Sequence, residues 1–251
     1  MTVTGERVTT PEGGFKPTWE RHVAAYSYCA GLLPPGHLLD LGCGIGHSYR
    51  LLAPRTSVGV DIDPAVLEGQ DRETAVADMR NLPFADASFA SVLSVQSIEH
   101  VPDPERVLAE VRRVLEPGGT AIFVTPNRLT FGRPYEIIDP YHYVEYDPSQ
   151  LRDLCAGCFG EVEIRGLFGS ERYEALLAVE RRKLDSLLRK DPLRVRRLIP
   201  RAARQRLYDW KLSRERAEPL SGAEAIEVAD FSLCDGPLER ALDLVAVCRS
   251  R

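Results

Sequence analysis

The stretch LLDLGCGIG, Leu38 to Gly46, decides the reading of this chain. Its first half is a short apolar run of the kind that forms a strand buried on both faces of a parallel sheet. Its second half carries Gly42, Gly44 and Gly46, whose missing Cβ atoms let a backbone turn sharply and come close to a ligand. A helix is expected behind it, at about His47 to Ala53. The spacing is GxGxG. A dinucleotide loop wants its third glycine at position 47, where this chain has His47, so a dinucleotide is the lesser reading.

Downstream of the loop, Ser57 to Val60 reads as a second strand that ends in Asp61, 19 residues after Gly42. A carboxylate there can accept both hydroxyl hydrogen bonds of a ribose diol. Asp63 precedes Pro64 and reads as the N-cap of a helix. A third strand near Thr74 to Ala77 brings Asp78 to the same edge, where it suits an adenine amino group as acceptor. Phe89 to Val95 is the fourth strand. The helix after it has Asp103 as N-cap, Val107, Leu108, Val111, Val114 and Leu115 on one face, and Pro117-Gly118-Gly119 as a stop. Thr120 to Val124 is the fifth strand. This alternation gives an α/β fold with a doubly wound parallel sheet, whose ligands collect at the carboxyl ends of the strands. Upstream, Thr18 to Leu33 reads as a helix with Thr18 as N-cap. Its Tyr26 and His22 come within reach of a ligand at the loop, though aromatics on an apolar face also serve as plain core.

With 251 residues, 44% of them hydrophobic and 27% charged, the chain suits a single globular domain, residues 1–251. The polar start lacks a signal-peptide core, and no stretch approaches 18 consecutive apolar residues, so a cytoplasmic protein without a transmembrane segment is expected. Six scattered cysteines read as reduced thiols, and the Cys155–Cys158 pair has no second pair to complete a metal site; no metal is expected. The net charge of −5 conceals a contrast. Residues 181–216 hold 14 Lys or Arg against 4 Asp or Glu, so this segment is +10 and the remainder −15.

Residues 125–150 form a long loop rich in aromatics and proline, a candidate lid over a substrate. A helix from Pro148 to Ala156 and a strand from Glu161 to Leu167 follow, then two or three helices broken at Pro192 and Pro200. The apolar run Ala241 to Cys248 closes the sheet.

Taken together, LLDLGCGIG, GVDID, ADMRNLPF, SVQSIEHVPDP, VRRVLEPGG and VTPNR resemble the class I S-adenosylmethionine-dependent methyltransferases, specifically the small-molecule branch called type 11, over residues 18–168 and 238–249. The resemblance implies a seven-stranded sheet of order 3-2-1-4-5-7-6 with the last strand antiparallel. It implies S-adenosylmethionine as cofactor, with Asp40, Gly42, Cys43, Gly44 and Gly46 around the methionyl part. Asp61 and Ile62 would hold ribose and adenine, Asp78 and Met79 the adenine edge, and Ser94, Val95 and Gln96 would lie beside the sulfonium. It thins over residues 171–236, a helical insertion expected to cover the substrate.

Methyl transfer from a sulfonium needs chiefly an aligned acceptor, and positioning of this kind is worth roughly 7 to 11 kcal/mol. A hydroxyl or protonated amine also needs a base, for which His142 and His100 are the candidates, His142 first because look-alike sequences carry a His in this loop. Packing is an equal alternative for both, and Glu99 has a weaker claim. The expected acceptor is an oxygen or nitrogen of a small molecule, glycan or lipid-linked intermediate, attracted as an anion by residues 181–216. The chain has SVQS after its fourth strand, not the Asn/Asp-Pro-Pro-aromatic turn of enzymes that methylate amino groups of nucleic acid. Action on nucleic acid or at a membrane surface, and non-catalytic cofactor binding, are the competing readings.

Overall fold

The computed structural model describes residue 11 and residues 16–131, 136–189, 191, 198–217 and 220–250, the side chains of 187 and 212–217 excepted. Eight strands form one sheet: β1 (Leu38–Leu41), β2 (Ser57–Asp61), β3 (Thr74–Val76), β4 (Phe89–Val95), β5 (Leu115–Pro126), β6 (Glu161–Gly169), β7 (Phe231–Cys234) and β8 (Asp243–Arg249). Their order is β3-β2-β1-β4-β5-β8-β6-β7. The first five run parallel, and β8 enters antiparallel between β5 and β6. The expected seven-stranded order is therefore present, with β8 in the seventh role. An eighth strand, β7, adds to the outer edge of β6. It comes from the end of residues 171–236, expected to be a helical insertion, where the last α-helix among the described residues ends at Ala217 and only the short 3-10 turns Ala223–Ala225 and Val228–Asp230 follow. Four residues, Phe231-Ser232-Leu233-Cys234, are too few for their alternation of buried and exposed side chains to have stood out.

The helices are α1 (Lys16–Leu32), α2 (Pro64–Leu67), α3 (Pro104–Val114), α4 (Pro148–Ala156), α5 (Glu171–Arg189) and α6 (Arg201–Ala217). The pleat of β5 sorts the core onto two faces. Ala121 and Phe123 pack with α3 and α4, whereas Ile122 and Val124 pack with α1 and the start of α5. On α3, Val107, Leu108, Val111 and Val114 are wholly buried, each contributing about 1.5 to 3 kcal/mol. Asp147 and Gln150 form a capping box that starts α4 at the expected residue. Asp63 caps α2 through the Ala65 N–H, as its place before Pro64 implied.

Three local expectations are corrected. The helix α1 begins at Lys16, so Thr18 lies in its first turn and is not the N-cap. No α-helix spans 47–53: the chain makes one 3-10 turn, Tyr49–Leu52, because three left-handed glycines use up the connection before Pro54 and the return to β2. Pro117-Gly118-Gly119 does not end the helix. The helix α3 stops at Val114 and β5 starts at once, the register shift against β4 between Phe89 and Ser91 absorbing the irregularity.

Candidate active site

The carboxyl ends of β1, β2 and β4 open onto a cleft lined by Gly42, Gly44, Asp61, Ile62, Asp78, Met79, Gln96, Ser97, His100 and Val101, among others. Gly42 and Gly44 take φ of +72° and +53°, which L side chains rarely adopt. A Cβ at Gly42 would lie 2.5 Å from Ser97 Oγ, whereas one at Gly44 would meet nothing within 4 Å. The Asp61 carboxylate accepts the Gly44 and Asp63 N–H groups, each at 3.0 Å, so the glycine loop and the end of β2 are braced through one side chain. Asp78 is tied to Arg80 through the Arg80 N–H, Nε and Nη2, which holds its carboxyl below the usual range. Gln96, at φ +53°, donates through Nε2 to Asp243 Oδ1 at 2.6 Å. Asp243 is wholly buried at the start of β8 and is also paired with Arg21 of α1.

Other candidates stand behind this surface. Asp40 is wholly buried, 2.8 Å from Arg72 Nη2 and accepting the Tyr26 hydroxyl at 2.9 Å. Burial raises its carboxyl pKa, which Arg72 and Tyr26 only partly offset. Arg72 continues the support: it donates to Gln70, and Gln70 in turn donates to the Gly44 carbonyl at 2.8 Å. Gly59 makes room for this, since its Cβ would lie 2.7 Å from the Arg72 guanidinium. Gly46 likewise faces the Gln70 amide. Cys43 packs on Val66 and Leu67, its thiol pushed up to about 12 by burial and the nearby carboxylates. Ser94 and Val95 are buried within β4. His47 sits against Trp19, centroids 4.2 Å apart, and burial followed by His22 lowers its pKa to about 4.

Beside the cleft, at the His100 that lines it, the two candidate histidines meet. Glu99 and His100 belong to a 3-10 turn, Ile98–His100, that follows β4, and Tyr143 N–H donates to the Glu99 carbonyl at 2.8 Å, drawing the long loop onto that turn. The rings of His100 and His142 are then edge to face with centroids 5.0 Å apart. His142 Nδ1 lies 3.0 Å from Glu145 Oε1, both side chains being nearly buried. Glu99 is wholly buried; Oε2 accepts the Thr125 hydroxyl at 3.0 Å, and Oε1 has no hydrogen-bond partner among the described residues. Burial pushes the Glu99 carboxyl up to about 7, with His142 pulling the other way. For His142, burial lowers the pKa but Glu145, Glu99 and Asp139 outweigh it, and the net shift is upward.

The basic segment is placed on this loop. Arg201 of α6 donates to the Pro140 and Tyr141 carbonyls at 2.8 and 2.9 Å and lies 3.6 Å above the Tyr143 ring. Tyr141 donates its hydroxyl to Asp209 at 2.6 Å. Arg201 is therefore a clamp on the loop; the expectation that residues 181–216 attract an anionic acceptor also falls on residues 190 and 192–197, which lie outside the described residues. Sequence reasoning missed Arg72, Gln70, Ser97, Arg21, Asp243 and Glu145. The buried acid of DLVAVC implied some counter-ion, and HYVE places Glu145 three residues after His142. Nothing local announces the others.

The cleft fits S-adenosylmethionine. Ile62, 64% exposed, with Met79 and Val101 offers apolar faces to a purine, Asp61 suits a diol, and the open Cβ position at Gly44 allows close backbone approach. A dinucleotide fits worse, because the single 3-10 turn after the loop supplies no helix N-terminus for a pyrophosphate. Residues 39–123 match the methyltransferase domain family. Over 261 residues the chain is 30% identical to "Probable S-adenosylmethionine-dependent methyltransferase Rv3030" of Mycobacterium tuberculosis, covering 98% of this chain and 89% of that protein. A relative in Mycolicibacterium smegmatis with the same description is 29% identical, covering 98% of this chain and 94% of its own. Among solved structures, the SAM-dependent methyltransferase TM1293 of Thermotoga maritima superposes with a TM-score of 0.59 over 94% of this chain and 96% of its own; at 20% identity it speaks for the fold alone. The glycine loop, the braced acid after β2 and full-length relatives of one description agree: this chain belongs to the S-adenosylmethionine-dependent methyltransferases.

Proposed function

We propose that the protein methylates an oxygen or nitrogen of a small molecule, glycan or lipid-linked intermediate in the cytoplasm, and that the acceptor lies between the cleft and residues 136–146. The observation that carries this is the meeting of Glu99, His100 and His142 where His100 lines the cofactor cleft. When bound, S-adenosylmethionine supplies a methyl group already activated for displacement. The protein's part is then to hold, align and shield the acceptor.

In this reading Gly42, Gly44, Asp61, Ile62, Asp78, Met79 and Gln96 contact the cofactor. Tyr26, Asp40, Cys43, Gly46, Ser94 and Val95 shape that surface from behind. His142 and His100 are the catalytic residues, set against the acceptor's reacting atom, with the proton of a hydroxyl acceptor leaving on their side of the cleft. Glu145 fixes the His142 ring, and Arg201 and Asp209 hold the loop that carries it. Residues 171–236 serve as the substrate cover.

Action at a membrane surface is the second reading. On and beside the basic helix α6, Leu198 is 83% exposed, Leu207 56% and Trp210 60%, a pattern that suits a lipid-linked acceptor. Among the described residues no helix is long and apolar enough to cross a membrane. The remainder of the chain, at −15, disfavours nucleic acid.

The test is incubation with methyl-labelled S-adenosylmethionine and pools of hydroxyl- and amine-bearing metabolites, oligosaccharides and lipid-linked sugars. Label is expected in one pool and is lost in His142→Ala. Label entering only RNA or DNA would overturn the reading.

A further inference from the structure

Glu99, His100 and His142 each present one ligand-type atom, and these atoms all lie within 4.8 Å of one another. Ligand atoms around one zinc-sized ion stand about 3.3 Å apart, so a shift of roughly 1 Å in side-chain position brings this set to coordination distance. Three further features fit a metal centre better than a packed polar cluster. The carboxylate is wholly buried and its Oε1 has no hydrogen-bond partner among the described residues, a costly arrangement for a group that nothing fills. Its other oxygen is held by the Thr125 hydroxyl, which fixes the plane of the carboxylate. Each imidazole is gripped on its Nδ1 side, His142 by the Glu145 carboxylate at 3.0 Å and His100 by the Tyr141 carbonyl at 3.3 Å. Outer partners of those kinds orient histidines that ligate through the opposite nitrogen.

We propose that Glu99, His100 and His142 bind one divalent transition-metal ion beside the cleft. Two imidazoles and one carboxylate make three protein ligands, which would leave coordination positions for water or an acceptor beside the cleft that His100 lines. That donor set suits manganese, iron, cobalt or zinc, and disfavours calcium and magnesium, which prefer oxygen throughout. The site follows from the fold: the 3-10 turn after β4 contributes two ligands, and the Tyr143 N–H bond to the Glu99 carbonyl delivers the third from the loop. The use of the ion rests on the functional reading above: with the ion bound, His100 and His142 would act on the acceptor's oxygen or nitrogen as ligands of the ion that holds it, in place of direct contact.

Chelator-stripped full-length protein should be titrated calorimetrically with Co²⁺ and with Zn²⁺, alongside S-adenosylhomocysteine. The expected result is one ion per chain, bound at least about tenfold more weakly by Glu99→Gln and by His142→Asn, with a smaller loss in Glu145→Gln, while S-adenosylhomocysteine affinity stays within about twofold and shows that each variant is folded. Absence of binding, or binding unchanged in both ligand variants, would overturn the site. Methyl transfer that survives chelation but not His142→Asn would overturn the use of the ion and leave the functional reading standing. An ion bound as expected with no acceptor methylated in any pool would count against the functional reading and leave the site in place.

Discussion

The two sides of the cleft are built in opposite ways. On the cofactor side, the glycine loop is braced from nearby in sequence, Asp61 accepting from Gly44 across 17 residues and Arg72 supporting Asp40 beneath the same loop, although Gln96 reaches Asp243 across 147. On the His142 side, proposed to meet the acceptor, the long loop is held by residues far away in sequence, Arg201 reaching Pro140 across 61 residues and Asp209 taking the Tyr141 hydroxyl across 68. The first design fixes one ligand shape shared by many proteins. If the second covers the acceptor as proposed, substitutions on the two sides should have separate effects.

The largest separation is expected at His142. His142→Ala should lower kcat by about 100-fold or more, as loss of an aligning group against the reacting atom does, with cofactor affinity unchanged by calorimetry. A matching loss of cofactor affinity would show that the two sides are one unit. Asp61→Ala should do the reverse, weakening cofactor binding by roughly 1.5 to 3 kcal/mol, or about 10- to 150-fold, the range for hydrogen bonds to a charged group. Unchanged affinity would mean that the carboxylate only braces the loop. Arg201→Ala should raise the acceptor KM by about fivefold and increase amide exchange in residues 136–146, through loss of two charge-assisted bonds and a stacked cation worth about 0.5 to 1 kcal/mol. Cofactor affinity should not move.

The smallest effect belongs to neither side. Asp230 is paired with Arg172 and accepts the Ser170 hydroxyl and the Glu227 N–H, and Arg172 chiefly holds its carboxyl down at about 2. A depressed carboxylate stabilises the fold above its unfolded pKa of about 3.9 and loses that contribution as pH falls toward 2. Asp230→Asn should therefore lower Tm by about 2 to 4 °C at neutral pH, for a contribution of about 1 kcal/mol, and the difference should shrink between pH 4 and pH 2. A difference independent of pH would assign the loss to packing.

The same contrast explains what the sequence revealed. Parallel strands buried on both faces leave apolar runs such as VLSV, and the acids that close them announce the ligand edge, so β1, β2, β4 and Asp61 were legible. Pro148 to Ala156 was legible to the residue because Asp147, Pro148 and Gln150 are local signals. The glycine loop misled in one respect. Its residues look like a helix entry, yet how far three left-handed glycines carry the chain appears only in three dimensions. His100 and His142 were each legible as titratable groups on loops, but their meeting depends on the Tyr143 bond to Glu99, and no spacing encodes it. Arg201 was legible as charge and not as a clamp, since its partners are backbone carbonyls that any sequence would supply.

The position of β8 has a consequence for how the protein is made. It is the partner of β5 on one side and of β6 on the other, and its first residue, Asp243, pairs with Arg21 across 222 residues. During synthesis the parallel strands β1 to β5 can assemble early, but β5 then presents a bare edge of backbone donors and acceptors while residues 127–249 are still being added. At about 5 to 20 residues per second that interval is on the order of 10 s. An exposed strand edge in a crowded compartment recruits other chains. A ribosome stalled before residue 243 would therefore display a nearly finished, adhesive half-sheet, and α1 would be waiting for the charge that anchors it.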